Sequence, residues 1–250
     1  MNINKIKRGI NHFHTKVAAY FCQREYHSSQ TRVKYMLFKE KTSDVLIVSF
    51  PACAQSPKYN YMRTLLPYKV NKLFLLDDFS DNQQGCYLIE KDVEQCTKAL
   101  INRVISELRI NKIVFIGSSK GGYSALNFSF LIPNVIVIIG SPQYFLGSYL
   151  DCNVYRSNYA FIVKDNEGKE WLDNRLRNRI QNSNVKPQCI YIHYSIIEHT
   201  YEEHVRALLC DLHNACIPIQ EDVNEYPSHS DLSIYYPPFL VNTLNVLLRK

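Results

Sequence analysis

The sequence predicts an α/β protein with a mostly parallel central sheet, helices on both faces and an insertion at one edge of the site. Three observations predict this. Val45–Phe50, Val114–Ile116, Val135–Ile139 and Cys189–Tyr194 are short runs dominated by apolar residues, which is how a strand reads when both of its faces are covered. Between such runs lie stretches with apolar residues three and four apart, as in Val93, Cys96, Leu100, Val104 and Leu108, which marks a helix with one buried face. The two patterns alternate along the chain, and alternation implies parallel strands joined by crossover helices.

In chain order, Ile3, Ile6, Ile10, Phe13 and Val17 recur at helical spacing with Lys and Arg mostly between them. They predict a basic amphipathic helix within residues 1–30. The pattern breaks near Ser28, and Arg32–Lys39 then alternates as a half-buried strand does. Val45–Phe50 is the first core strand, and the loop Pro51–Tyr61 follows it. Leu73–Leu76 is a strand ending at Asp77-Asp78, and Asp92–Leu108 is a helix. The strand through Ile116 leads into a glycine-rich turn and a further helix. Val135–Ile139 is a strand closed by Gly140-Ser141-Pro142. From 143 to 188 the rhythm lapses into an aromatic-rich segment with Tyr144, Phe145, Tyr149, Tyr155, Tyr159, Phe161 and Trp171. An insertion of that size reads as a lid. The rhythm resumes with strand Cys189–Tyr194, helix Glu202–His213, strand Ile217–Val223 and a closing helix Leu240–Leu248, with Pro237 and Pro238 near its start. One domain over 1–250 fits this reading.

Composition narrows the class. The chain has 250 residues, 46% hydrophobic and 21% charged, as an ordinary soluble globular protein does. No apolar run reaches the roughly 18 residues that span a bilayer, and the N-terminus lacks the features of a signal peptide. The expected location is the cytoplasm, with a peripheral contact at the inner membrane as an extension of that reading. Eight cysteines occur and none forms a Cys-x-x-Cys pair, which argues for reduced thiols and against a zinc or redox motif. No metal site is expected. Net charge is +6, and much of the excess precedes the first core strand. Lys5, Lys7, Arg8, Lys16, Arg24, Arg32, Lys34, Lys39 and Lys41 stand there against Glu25, Glu40 and Asp44. The segment is a solvated basic face, or it meets an anionic partner such as a phosphorylated cofactor, an anionic polymer or a membrane surface. No nucleic-acid-binding signature accompanies it.

The chemistry centres on Gly117-Ser118-Ser119-Lys120-Gly121-Gly122. A Gly-x-Ser-x-Gly between a strand and a helix is a nucleophile elbow, which lifts the serine hydroxyl above the sheet. Lys120 raises the alternative of a phosphate-binding turn, but a phosphate loop places Lys directly after the last glycine. A serine hydroxyl needs a histidine to take its proton and a carboxylate to orient the histidine. In α/β-hydrolases these follow in the order serine, acid, histidine. Glu198 lies just past the strand Cys189–Tyr194, where the acid belongs, while Glu202 and Glu203 fall on the next helix. His229 lies in a polar loop after the last strand; His213 falls within a helix and His193 alternates with apolar neighbours. The expected triad is Ser119, His229 and Glu198. The expected oxyanion donors are the backbone N–H of Lys120 and one from Phe50, Ala52 or Cys53, since Pro51 has no N–H.

Together with Lys58-Tyr59-Asn60-Tyr61 after the first core strand, the elbow hexapeptide resembles the α/β-hydrolase-type O-acetyltransferases of bacterial surface glycans, capsule polysaccharide O-acetyltransferases among them. The resemblance implies the α/β-hydrolase fold, acetyl-CoA as co-substrate with no permanently bound cofactor, and a polysaccharide or oligosaccharide acceptor. It implies that Ser119, Glu198 and His229 pass acetyl from CoA to a sugar hydroxyl through acetyl-serine. On that reading the Tyr-rich lid excludes water and stacks on sugars. Lys164, Lys169, Arg175, Arg177 and Arg179 become candidates to meet CoA phosphates or an anionic glycan. The competing expectations are a carbohydrate esterase or deacetylase with the same triad, and a glycan- or partner-binding protein on a hydrolase scaffold.

Overall fold

The structure, a computed structural model, describes residues 17–163 and 168–249. The apolar runs form one eight-stranded sheet: β1 (Arg24–His27), β2 (Arg32–Phe38), β3 (Val45–Ser49), β4 (Asn71–Leu75), β5 (Lys112–Ser118), β6 (Val135–Gly140), β7 (Cys189–Ser195) and β8 (Ile219–Asn224). Their spatial order is β1-β2-β4-β3-β5-β6-β7-β8. β2 runs antiparallel to β1 and to β4, and every other pairing is parallel.

Alternation along the central strands feeds two cores, because successive side chains point to opposite faces. Leu46, Val48, Phe115, Val137 and Ile190 face one side. There they meet α3 (Lys91–Leu108), α4 (Lys120–Ser129), α7 (Lys169–Asn182) and α8 (Arg206–Asn214). Ile47, Phe74, Val114, Ile116 and Ile138 face the other, where α9 (Leu232–Leu247) lies with helical residues 17–22 (α1) and α2 (Met62–Leu65).

Three expectations change. The N-terminal stripe from Ile3 to Phe13 lies outside the described residues, and the helix does not extend to residue 30. It ends at Cys22, and Arg24–His27 pairs with β2 as a hairpin. Ser28 closes that turn: its Oγ accepts the Thr31 N–H at 3.1 Å and its own N–H donates to Thr31 O at 2.8 Å. The closing helix starts at Leu232 rather than Leu240, with Pro237 and Pro238 inside it. Proline removes helical bonds to Ser233 and Ile234, both exposed to water, while buried Leu232, Tyr236, Leu240 and Leu244 hold the helix to the sheet. The helix expected over 202–213 is a π-turn, Tyr201–Val205, running into α8.

The segment 143–188 divides. α7 buries Leu172, Leu176 and Ile180 in the main core and belongs to the helical layer. α5 (Leu146–Leu150) and α6 (Arg156–Ile162) sit before it, and it is from this earlier part that Tyr149 and Tyr155 reach the cleft described below. Among the described residues no helix is long and apolar enough to cross a membrane.

Candidate active site

The elbow owes its shape to two glycines. Ser119 sits between β5 and α4 at φ 51°, ψ −121°, a backbone region that costs a non-glycine residue of order 1–3 kcal/mol. A Cβ on Gly117 would lie 2.3 Å from the Gly121 carbonyl oxygen, and one on Gly121 would lie 2.6 Å from that of Phe50. With no side chain at either position the turn closes, and Ser119 N–H donates to Gly140 O at 2.8 Å.

The loops after β7 and β8 bring the other two expected residues to this serine. His229 Nε2 lies 2.9 Å from Ser119 Oγ. His229 Nδ1 makes a short hydrogen bond with Glu198 Oε1, and Thr200 Oγ1 lies 3.2 Å from the same nitrogen. A carboxylate facing Nδ1 keeps a proton there, so Nε2 is free to accept the serine proton. Glu198 Oε2 accepts from Ser141 Oγ at 3.2 Å. The Glu198 side chain is wholly buried. Burial pushes its carboxyl up, but hydrogen bonds from His229, Thr200 and Ser141 outweigh it and hold the group below its ordinary value.

The serine and histidine open on a cleft of about 810 Å³. Ala52, Cys53, Lys58, Tyr61, Tyr149 and Tyr155 are among its walls, and Arg63 also lines it. Lys58 and Arg63 are the lysine and arginine among the described residues that line it. Tyr149 and Tyr155 stack with ring centroids 5.1 Å apart.

The oxyanion candidates separate. The Lys120 N–H belongs to the first turn of α4, where helix geometry leaves N–H groups without helical partners. The Phe50 N–H is spent in the sheet, donating to Ile116 O at 3.0 Å. That removes Phe50: register fixes its N–H beside the neighbouring strand. The Ala52 N–H donates to Asn60 Oδ1 at 3.1 Å, so it serves an oxyanion only after releasing Asn60. Cys53 lines the cleft.

Charged residues proposed for anion binding are engaged elsewhere. The Lys120 ammonium is buried against Asp77 Oδ2 at 2.9 Å and donates to Gln84 O at 2.8 Å, which removes the phosphate-turn alternative for its side chain. Arg175 and Arg179 both pair with Glu94, Arg177 with Asp211 and Lys169 with Asp151. Lys164 lies outside the described residues. His193 is buried and pairs with Asp222 at 2.6 Å, away from Ser119.

Two contacts went unread in the sequence. Gln143 Nε2 donates to Ser119 Oγ at 3.0 Å, and the Tyr61 hydroxyl lies 2.5 Å from Ser118 Oγ. The available signal was placement: Gln143 lies three residues past the end of β6, the strand beside β5, at the same carboxyl edge.

No protein-family model and no curated protein sequence matches the chain. Solved structures do. The capsule O-acetyltransferase of Neisseria meningitidis serogroup A, in complex with caged gadolinium, is similar at a TM-score of 0.71 and 20% identity, over 88% of this chain and 92% of that one. A histidine-to-alanine variant of the same enzyme in complex with CoA gives 0.70 and 20%, over 89% and 94%. Esterase B of Lactobacillus rhamnosis gives 0.60 and 12%, over 99% and 96%. The capsule enzymes suggested by the elbow motif are thus among the structural matches, and at these identities the likeness is one of fold. The sheet order, the elbow and these matches together establish that the chain has the α/β-hydrolase fold.

Proposed function

We propose that the protein is a serine-dependent O-acetyltransferase that moves acetyl from acetyl-CoA to a hydroxyl of a bacterial capsular or related surface polysaccharide. The observation that carries the reading is the line from Ser119 Oγ through His229 to buried Glu198, opening on a cleft of about 810 Å³. The capsule O-acetyltransferase and its CoA complex, similar in fold over about nine-tenths of the chain, support the choice of donor and acceptor class.

The reaction follows from the side chains. His229 Nε2 takes the Ser119 proton as Oγ attacks the acetyl carbonyl of the thioester. The Lys120 N–H receives the developing oxyanion. The adduct collapses, the C–S bond breaks, and His229 returns its proton to the departing sulfur. An acceptor hydroxyl then gives its proton to His229 and attacks the acetyl-serine carbonyl. The Oγ–acyl bond breaks and Ser119 regains a proton. Lys58, on the wall of the cleft, supplies positive charge for donor phosphates or an anionic acceptor. Tyr149 and Tyr155 form the lid side of the cleft, where aromatic faces stack on a sugar and displace water, favouring transfer over hydrolysis. The basic N-terminal segment is proposed to hold the protein near an anionic surface.

Incubation with labelled acetyl-CoA and a panel of capsular oligosaccharides tests this. Label appearing in the oligosaccharide, and trapped on Ser119 when no acceptor is added, is the expected result. Acetate release alone under every condition favours the second reading, a carbohydrate esterase, which the fold likeness to esterase B also supports.

A further inference from the structure

The turn over residues 140–143 touches both the nucleophile and the acid. Gly140 O accepts the Ser119 N–H at 2.8 Å, Ser141 Oγ donates to Glu198 Oε2 at 3.2 Å, and Gln143 Nε2 donates to Ser119 Oγ at 3.0 Å. The turn is strained, with Ser141 at φ 34°. Gln143 is 1% exposed, and its Oε1 is buried with no hydrogen-bond partner among the described residues. An orphaned buried carbonyl is costly, and a leucine of similar size would avoid that cost. Such violations of local packing sense concentrate where chemistry needs them.

We propose that Gln143 is a further catalytic residue, whose side-chain N–H stabilises negative charge on Ser119 Oγ itself. The proposal rests on the acyl-transfer reading above. Ser119 Oγ carries one proton, directed along the 2.9 Å contact to His229 Nε2. The contact with Gln143 therefore uses an Oγ lone pair, and the amide is the donor. A hydrogen bond to a neutral hydroxyl is modest, but it strengthens as that oxygen gains charge, so it favours the transition state over the ground state. In the first half-reaction the Oγ–H bond breaks toward His229 while the Oγ–C bond forms, and Gln143 meets the partial charge. In the second, the Oγ–C bond breaks, charge returns to Oγ, and Gln143 meets it again until His229 reprotonates the oxygen. This role is separate from the oxyanion N–H of Lys120, which faces the acyl oxygen.

The test uses the full chain, with the rate of Ser119 labelling by a fluorophosphonate as the readout of attack and acetyl-CoA turnover as the readout of both halves. Gln143→Leu keeps the volume and removes the donor. Labelling rate and kcat are expected to fall about 10- to 100-fold, with KM for acetyl-CoA within about twofold and the melting temperature unchanged or raised. Gln143→Glu adds a pH signature that a packing role does not produce. The buried carboxyl donates while protonated and stops when it ionises, so the variant approaches native activity in acid and loses it as pH rises. Native rates in Gln143→Leu, or a native pH profile in Gln143→Glu, overturn the proposal. Should Gln143→Leu not fold, the pH profile of Gln143→Glu decides alone. Ser119→Ala separates the two levels. Transfer surviving in Ser119→Ala, or no labelling of Ser119 in the native protein, removes the acyl-serine reading and this role with it. Loss in Ser119→Ala beside native activity in Gln143→Leu removes the role of Gln143 only.

Discussion

The Lys120 ammonium lies 2.9 Å from Asp77 Oδ2, with both side chains shut off from water. Asp77 also accepts the Cys86 N–H at 2.8 Å, and Asn158 of α6 donates to Gly85 O at 2.6 Å. The residue that follows the nucleophile is thereby fastened to the loop after β4, and that loop to α6. Lys120→Met leaves Asp77 as a buried, unpaired carboxylate. Breaking such a pair costs about 3–5 kcal/mol, to be read from the urea midpoint at constant slope. A loss under about 1 kcal/mol would show that water reaches Asp77.

His204 gives stability a pH dependence. Its Nδ1 accepts the Phe145 N–H at 3.3 Å, and burial pushes its pKa down from 6.5 to about 4. Between those values the unfolded chain binds a proton that the folded chain refuses. Stability contributed by this histidine is therefore complete above about pH 6.5 and is lost as pH falls toward 4, by about 3 kcal/mol in all. Denaturant titrations from pH 4 to 8 should show this slope in the native protein and a flatter one in His204→Gln. Equal slopes would mean that His204 titrates normally.

Glu198 behaves in the opposite sense. Its carboxyl is held below the ordinary range, so its stabilising contribution is present above about pH 4.3 and lost only as pH falls through the lowered value. On the proposed mechanism turnover should fall about 10⁴-fold in Glu198→Gln and about 10⁶-fold in His229→Ala, since there His229 would move the proton and Glu198 only orient it. Native turnover in Glu198→Gln would reassign the acid.

The elbow glycines should tolerate nothing larger. Gly121→Ala drives a Cβ to 2.6 Å from the backbone oxygen of Phe50, which cannot yield without moving β3. Loss of Ser119 labelling and a large fall in melting temperature are expected. Gly168→Ala is the control, because a Cβ there meets nothing within 4 Å among the described residues; its effect should stay within about 0.5 kcal/mol. A native-like Gly121→Ala would mean that β3 and α4 stand further apart than described.

The sequence by itself determined the elements whose signal is local. The apolar runs from Val45, Val135 and Cys189 are strands because both of their faces are covered, and that leaves a mark within a few residues. The two glycines spaced around Ser119 record a backbone constraint at that point of the chain. Glu198 and His229 were legible because chain order and strand ends limit where such residues stand. Contacts between distant segments were decided by tertiary structure. Nothing near Phe50 says that its N–H is spent on Ile116, and nothing near Lys120 says that Asp77, 43 positions earlier, neutralises it. The pairing of Arg175 and Arg179 with Glu94, the brace of Gln143 on Ser119 and the helix that starts ahead of Pro237 are of the same kind. The physical reason is that a hydrogen bond or ion pair is fixed by where two chain segments meet in space, while sequence pattern reports only what each segment prefers alone.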